Sequence, residues 1–253
     1  MKALRPLITA AGLVALWQAV VTITGAPHFI FPGPLRVAAA AVSHAHTLAD
    51  HAWVTLAEIL IGLVIGCGVG AAAALALMAY GPLRRWLLPL LVVSQALPVF
   101  ALAPLLVLWL GYGMASKIAM AVLIIFFPVT AATYDGLRRT EPEWLELAGV
   151  MNAPRRSVLL QIRLPAALPP LASGVRVATA VAPIGAVVGE WVGASRGLGF
   201  LMLHANARMQ TDLMFAALLV LALGALTLYT LVDRAMDRLV YWQPSNPAEE
   251  KDP

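Results

Sequence analysis

Charged side chains are scarce in this sequence: they make up 12% of its 253 residues, whereas 61% of the residues are hydrophobic. A soluble domain carries about 25% charged residues, so this chain has too few to cover a surface that faces water. Most of its surface must therefore face lipid. The sequence also has a single cysteine, Cys67, which excludes an internal disulfide. Because Cys67 lies in an apolar run, we expect it to be a small core residue.

The sequence also lacks the phosphate-binding pattern G-x-x-x-x-G-K-[ST]. Its lysines are Lys2, Lys117 and Lys251, and none of them follows a glycine. The chain is therefore predicted to carry no ATPase site of this type and not to be an enzyme. An intramembrane hydrolase would need a nucleophile and a base with an orienting third group, and none is visible beside Ser94 and His204.

No metal site is predicted. His44 and His51 lie about two helical turns apart and could share a helical face, but His46 would point away from them. A zinc site needs about four ligands, and no cysteine or acidic partner completes a set with these histidines.

Long apolar segments are the main feature that is present. A helix needs about 20 apolar residues to cross a hydrocarbon core about 30 Å thick. The first segment follows Lys2 and Arg5 and imitates a secretion signal, but we expect it to be retained. The prediction is an all-α polytopic membrane protein with about six transmembrane helices, at residues 7–24, 52–79, 86–110, 117–137, 167–190 and 213–234.

The basic residues predict the orientation, because loops rich in lysine and arginine stay in the cytoplasm. With both termini cytoplasmic, the outer loops hold only Arg36, Lys117, Arg196 and Arg208. The inner loops and ends then hold Lys2, Arg5, Arg84, Arg85, Arg138, Arg139, Arg155, Arg156, Arg163, Arg234, Arg238 and Lys251. Residues 1–242 are predicted to form one transmembrane domain, and the polar segment 243–253 a disordered cytoplasmic tail.

The inner loop between the fourth and fifth apolar segments is unusually structured. Thr140 and Glu143 have the spacing of a capping box, which predicts a helix that ends near Asn152 because Pro154 disfavours helix before it. A second amphipathic stretch runs from Arg155 to Leu164. On physical grounds alone, a basic helix lying on anionic lipid headgroups explains this loop as well as a protein-docking site does.

The loop also resembles the coupling loop of binding-protein-dependent ABC importer permeases, whose pattern is E-A-A, three residues, G, nine residues and I-x-L-P. Within residues 138–165, this chain places Glu146, Leu147, Ala148, Asn152, Ile162, Leu164 and Pro165 at those positions. Leu147 and Asn152 depart from the pattern. Because Asn tolerates the left-handed conformation almost as glycine does, we expect the bend before Ala153 to be kept.

Other segments resemble the nitrate, sulfonate and taurine branch of this family. They include Pro32-Gly33-Pro34, Phe126-Phe127-Pro128, Gly189-Glu190-Trp191, Gly197-Leu198-Gly199 and Gln210-Thr211-Asp212. Two more, residues 94–98 and 110–113, are similar to members that carry pyrimidine precursors of thiamine.

The resemblance implies a permease subunit of an ATP-driven importer in the bacterial cytoplasmic (inner) membrane. Its substrate would be a small nutrient, either a sulfonate-, taurine- or nitrate-like anion or a pyrimidine precursor of thiamine. The resemblance also implies a homodimer, two ATPase subunits that bind the coupling residues (Ala153 included), and an extracytoplasmic substrate-binding protein. ATP and Mg would be bound by the partner ATPase and no cofactor by this chain; nucleic acid is not an expected partner. The alternative is a secondary transporter or channel that moves a small solute unaided, which would need a charge relay or a repeated half that the sequence does not show.

Polar residues in or near the spans are candidates for the translocation pathway: Ser94, Gln95, Tyr112, Arg176, Thr179 and Glu190. Each has a structural alternative. Arg176 could snorkel or form an ion pair, and Glu190 beside Trp191 could be a solvated acid in the aromatic belt. Glu58, near the outer end of the second span, is expected to hydrogen-bond to a neighbour.

Overall fold

The computed structural model describes residues 4–96 and 98–242, without the side chains of residues 4–7, 90, 92 and 94–96. Within that part, the secondary structure is helical throughout. The helices are α1 (Leu4–Thr24), α2 (Pro34–Ser43), α3 (Ala45–Ala79), α4 (Gly81–Ala96), α5 (Val99–Leu110), α6 (Met114–Arg138), α7 (Pro142–Val150), α8 (Arg155–Ser157), a π-helical segment (Val158–Arg163), α9 (Leu164–Gly193), α10 (Leu198–Ala207) and α11 (Thr211–Leu239).

Among the described residues, four helices are long and apolar enough to cross a membrane. Three of them are α3, α6 and α11, and the fourth is the continuous helical stretch Arg155–Gly193. They contain the predicted second, fourth, fifth and sixth spans, and α1 covers the first. The predicted class of polytopic α-helical membrane protein is therefore confirmed.

The predicted span 86–110 is not one helix. It is divided into α4 and α5, which end at Ala96 and begin at Val99. Pro98 lies between them with an extended backbone, φ −66° and ψ 111°. Proline has no backbone N–H to donate and cannot continue a regular helix without cost, which explains the interruption that hydropathy alone did not predict.

The centre of the molecule is α6, which packs between α3 and α9. A Cβ atom placed on Gly62 would lie 2.6 Å from the Cβ of Ala121, and one on Gly66 would lie 2.6 Å from the Cγ2 of Ile125. Gly185 meets the backbone of Ala121 from the other side. Small residues at this spacing allow close helix packing in lipid. Gly62, Gly66 and Gly185 thus serve helix contacts within one chain.

Candidate functional site

The inner loop contains the predicted short helix, α7, but not the predicted capping box. Glu141 precedes Pro142 at the start of α7, and no side chain caps this end. The hydroxyl of Thr140 instead donates to the carbonyl of Leu137, with 3.1 Å between the oxygens. Thr140 is buried, so its hydroxyl satisfies a carbonyl at the end of α6 rather than an amide of α7.

The end of α7 has the predicted bend. Asn152 has φ 50°, its N–H donates to the carbonyl of Gly149 at 3.0 Å, and the N–H of Ala153 donates to that of Ala148 at 2.9 Å. These two bonds are those of a Schellman motif, in which the left-handed residue is usually glycine. Asn152 therefore keeps the geometry that the glycine of the pattern would provide.

One face of α7 is apolar and exposed. The side chains of Leu147, Val150 and Met151 are 61%, 81% and 73% exposed, whereas Ala148 is buried. Beside them lies a groove of about 450 Å³ that also reaches the base of α9 and the end of the described chain. We call it the coupling groove; its lining is Trp144, Leu147, Ala148, Met151, Ala153, Gln161, Ile162, Pro165, Ala166 and Trp242.

The coupling groove brings together five of the predicted coupling residues: Leu147, Ala148, Ala153, Ile162 and Pro165. Glu146 lies exposed on α7, and Leu164 is half-buried at the start of α9. The turn at Asn152 separates the two halves of the sequence pattern along the chain. In the structure, both halves line one surface. An exposed apolar surface of this kind marks an interaction site.

At the opposite end of the molecule, Glu190 is buried rather than solvated, with 1% of its surface exposed. Its carboxylate accepts hydrogen bonds from the Thr55 hydroxyl at 2.6 Å and from the Gly199 amide at 2.5 Å. The Phe200 amide adds a longer bond, at 3.4 Å. The carboxylate therefore holds the start of α10, where free amides favour an acceptor.

Two more ionisable groups are buried beside Glu190. Glu58 lies beside the Glu190 carboxyl group and interacts electrostatically with it and with Lys117. The ammonium group of Lys117 donates to the carbonyls of Tyr112 and Gly113, at 3.1 and 2.9 Å. Buried charges are stable only when they are paired and hydrogen-bonded. We call Thr55, Glu58, Lys117 and Glu190 the outer polar cluster.

The outer polar cluster corrects two sequence-based interpretations. Lys117 was expected in an outer loop but is buried at the start of α6, and Glu190 is not a solvated acid. The signal was present in the sequence, because Glu58, Lys117 and Glu190 all fall near the outer ends of spans. Ionisable groups at one depth in a membrane protein tend to lie together in its interior, away from lipid.

Three other pathway candidates have described side chains. Arg176 forms ion pairs with Asp233 and Asp237, each at 2.5 Å. An ion pair was one of the two structural alternatives to a pathway role for this residue. Thr179 is buried and donates to the carbonyl of Val175 at 2.7 Å. Tyr112 is exposed. The side chains of Ser94 and Gln95 lie outside the described part of the chain.

The three histidines considered for a metal site, His44, His46 and His51, have separate partners. His44 contacts Ser43 and the carbonyl of Ala40, and His51 contacts the backbone of Gly197. His46 pairs with Asp50 at 3.0 Å, so an acidic neighbour exists that the sequence analysis did not consider. Among the described residues, no group of three or more potential ligands could hold a metal ion.

The chain is similar to permease subunits over nearly its whole length. It is 56% identical, over 95% of its own length and 98% of the relative's, to a probable ABC transporter permease protein of Haemophilus influenzae. It is 34% identical, over 96% and 97%, to the formylaminopyrimidine transport permease protein ThiX of Halalkalibacterium halodurans. It is 29% identical, over 92% and 88%, to the taurine transport system permease protein TauC of Escherichia coli.

The fold is that of a solved ABC transporter. A chain in a structure titled as inward facing conformations of the MetNI methionine ABC transporter superposes with a TM-score of 0.68 at 18% identity, covering 78% of this chain and 98% of that chain. The sequence profile of binding-protein-dependent transport system inner membrane components matches residues 59–241. This range includes the inner loop, the coupling groove except Trp242, and Lys117 and Glu190 of the outer polar cluster. The chain is therefore a member of that family, a membrane-embedded permease subunit of an ABC importer.

Proposed function

We propose that two copies of this chain form the translocation pathway of an importer in the bacterial inner membrane, and that each copy binds a separate ATPase subunit at its coupling groove. The observation that carries the proposal is the exposed apolar face of α7 beside Ile162 and Pro165. Aqueous loops rarely expose such a patch without a partner. ATP and Mg would be bound by the ATPase, and an extracytoplasmic binding protein would deliver the substrate.

The geometry favours a protein partner over lipid for this surface. Glu146 carries an exposed carboxylate on the same short helix as Leu147 and Val150. Cytoplasmic leaflets are anionic and attract basic segments, so a helix whose charged residues, Glu143 and Glu146, are both acidic is poorly suited to lie on them. α7 is therefore better matched to a groove on a protein that offers basic groups around an apolar centre.

We propose that Tyr112, whose side chain is exposed, belongs to the translocation pathway, and Ser94 and Gln95 stay candidates for it. We assign the other three candidates to the packed helices around the pathway, because each is buried or ion-paired within the chain: Arg176, Thr179 and Glu190.

For the substrate we propose a pyrimidine precursor of thiamine. The support is the similarity of residues 94–98 and 110–113 to members that carry such precursors, together with the 34% identity, over nearly the whole of both chains, to the relative named for formylaminopyrimidine transport. A relative named for riboflavin transport is 39% identical and one named for taurine transport is 29% identical, so riboflavin is the competing heterocyclic substrate. Uptake of labelled formylaminopyrimidine by vesicles holding the whole transporter tests this, with riboflavin and taurine as the comparisons. Uptake of riboflavin or taurine without formylaminopyrimidine would overturn the assignment.

Copurification tests the coupling groove. Glu146→Lys should reduce the ATPase recovered with the permease by at least tenfold, a loss of about 1.4 kcal/mol, because reversing a charge within an interface creates repulsion. Asp135→Lys is the control, since Asp135 is an exposed acid of α6 outside the loop. The thermal unfolding of the spans should not change in either variant.

The result that contradicts the proposal is equally specific. If Glu146→Lys keeps the ATPase bound, the coupling groove is not the surface that binds it. If vesicles with the permease alone transport the solute without nucleotide, the chain works as a secondary transporter or channel.

A further inference from the structure

A second cleft at the inner end of the molecule differs from the coupling groove in charge. It has a volume of about 560 Å³ and lies between the end of α3 and the helical stretch that follows the turn at Asn152. We call it the basic cleft; its lining is Met78, Ala79, Tyr80, Ala153, Arg155, Arg156, Val158, Leu159 and Arg163. Volumes of about 300–1,000 Å³ are typical of ligand sites.

The charge of the basic cleft is not balanced within the chain. Arg155, Arg156 and Arg163 have no carboxylate partner among the ion pairs of residues 4–96 and 98–242, and its lining includes no acidic residue. Neighbouring like charges repel one another. An anion bound between them would remove that repulsion and add charge-assisted hydrogen bonds.

The three arginines are not equivalent. Arg163 is half-buried, and its Nη1 donates to the carbonyl of Leu137 at 3.3 Å and contacts the sulfur of Met78 at 3.4 Å. It fixes one wall of the cleft. Arg155 and Arg156 are exposed, and no described group in the chain accepts hydrogen bonds from their guanidinium groups.

The position of the cleft matches the depth of lipid headgroups. One wall of the cleft is the end of α3, whose apolar span ends at Ala79. The other wall continues into α9, which begins at Leu164. Both walls therefore reach the membrane surface at the cleft. Tyr80 is exposed there, as aromatic residues are at such interfaces. The apolar side chains of Met78, Val158 and Leu159 lie beside the arginines, where an acyl chain would enter the bilayer.

We propose that the basic cleft binds the phosphate headgroup of an anionic phospholipid of the cytoplasmic leaflet. Arg155 and Arg156 hold the phosphate, and Met78, Val158 and Leu159 contact the start of the acyl chains. The coupling groove and the basic cleft share Ala153, so one turn separates a surface for protein from a site for lipid. A lipid bound there braces the turn that carries α7. This inference does not rest on the identity of the ATPase.

The test measures lipid binding to the purified, delipidated transporter complex by native mass spectrometry, with phosphatidylglycerol as the probe and phosphatidylcholine as the neutral comparison. The double variant Arg155→Gln and Arg156→Gln should bind phosphatidylglycerol about twenty-fivefold more weakly, since each arginine near an anionic surface contributes roughly a fivefold factor. Arg234→Gln with Arg238→Gln is the matched control, because these two are also exposed and cytoplasmic. Its affinity should stay that of the wild type.

Several results would overturn the proposal. An equal loss in the control pair would mean that net charge alone attracts lipid. If inorganic phosphate competed as well as the lipid does, the ligand would be a soluble phosphate. If the cleft variant kept phosphatidylglycerol but lost the ATPase, the cleft would belong to the protein interface. Thermal unfolding without lipid should be the same in all variants, which separates binding from folding.

Discussion

The carboxylate of Glu190 connects three elements. It accepts hydrogen bonds from Thr55 of α3 and from the first turn of α10, and it neighbours Glu58. Gly197 has φ 117°, and a Cβ atom there would collide with the Glu190 carboxyl group. The loop at the outer end of α9 therefore fits closely around one acidic side chain.

Glu190→Ala should lower the free energy of unfolding by about 3 kcal/mol, because it leaves two amides of α10 without their acceptor and leaves the buried Thr55 hydroxyl only the more distant carbonyl of His51. Glu190→Gln should lose less, since the amide oxygen still accepts. Thermal unfolding of the purified protein in detergent measures both. If the alanine variant unfolded with the wild type, the carboxylate would not hold the outer loop.

Single residues also show where sequence reasoning succeeds. The bend at Asn152 could be predicted because left-handed conformations depend on the residue itself. The role of Thr140 could not, because its hydroxyl has two acceptable uses and burial decides between them. The burial and bonding of Lys117 could not be predicted either. They depend on which residues meet at the outer end, and the packing of helices that are distant in sequence decides this.

At the scale of the elements, the structure depends on close packing of α3 and α9 against α6. Apolar side chains do not drive helices together in lipid, where the solvent is as apolar as they are. Gly62, Gly66 and Gly185 supply the contact instead by letting backbones approach. The position of these glycines is thus more important than the hydrophobicity of their neighbours.

Gly66→Leu should destabilise the protein by about 1–3 kcal/mol, because the new side chain overlaps Ile125 in a packed interface. Gly68→Leu is the control: it lies on the same helix, and a Cβ atom there meets no other atom within 4 Å. Unfolding in detergent should separate the two variants. Equal stabilities would show that α3 does not pack against α6 through this face.

Element boundaries followed from the sequence wherever a local signal fixed them. Hydropathy predicted the long spans, and Pro154 marked where α8 begins. The break at Pro98 was missed because prolines within membrane helices are often tolerated, as Pro104 is. α10 was missed because it is short, and its first amides are satisfied by Glu190.

At the scale of the whole molecule, the helical stretch Arg155–Gly193 joins the two ends. Its 39 residues span about 58 Å at 1.5 Å per residue. The coupling groove and the basic cleft lie at its inner end, and Glu190 lies at its outer end. We therefore expect a displacement of α7 to be transmitted along this helix to the outer polar cluster, because α9 packs closely against α6, which carries Lys117.

The family and its permease fold could be predicted from the sequence, because the pattern from Glu146 to Pro165 lies in the right place between apolar segments. The pathway could not be predicted in the same way. A polar residue in a span can face a passage, a neighbouring helix or an ion-pair partner, and Arg176 and Thr179 show that the last two are common.

The most direct test of the central claim places a photoreactive phenylalanine analogue at Leu147, which is 61% exposed on α7, in cells that contain the whole transporter. Irradiation should link this position to an ATPase subunit, identified by mass spectrometry of the product. The same analogue at Val42, exposed on α2, should give no ATPase product. Cross-links from Leu147 to lipid alone, in cells whose transporter is active, would contradict the account.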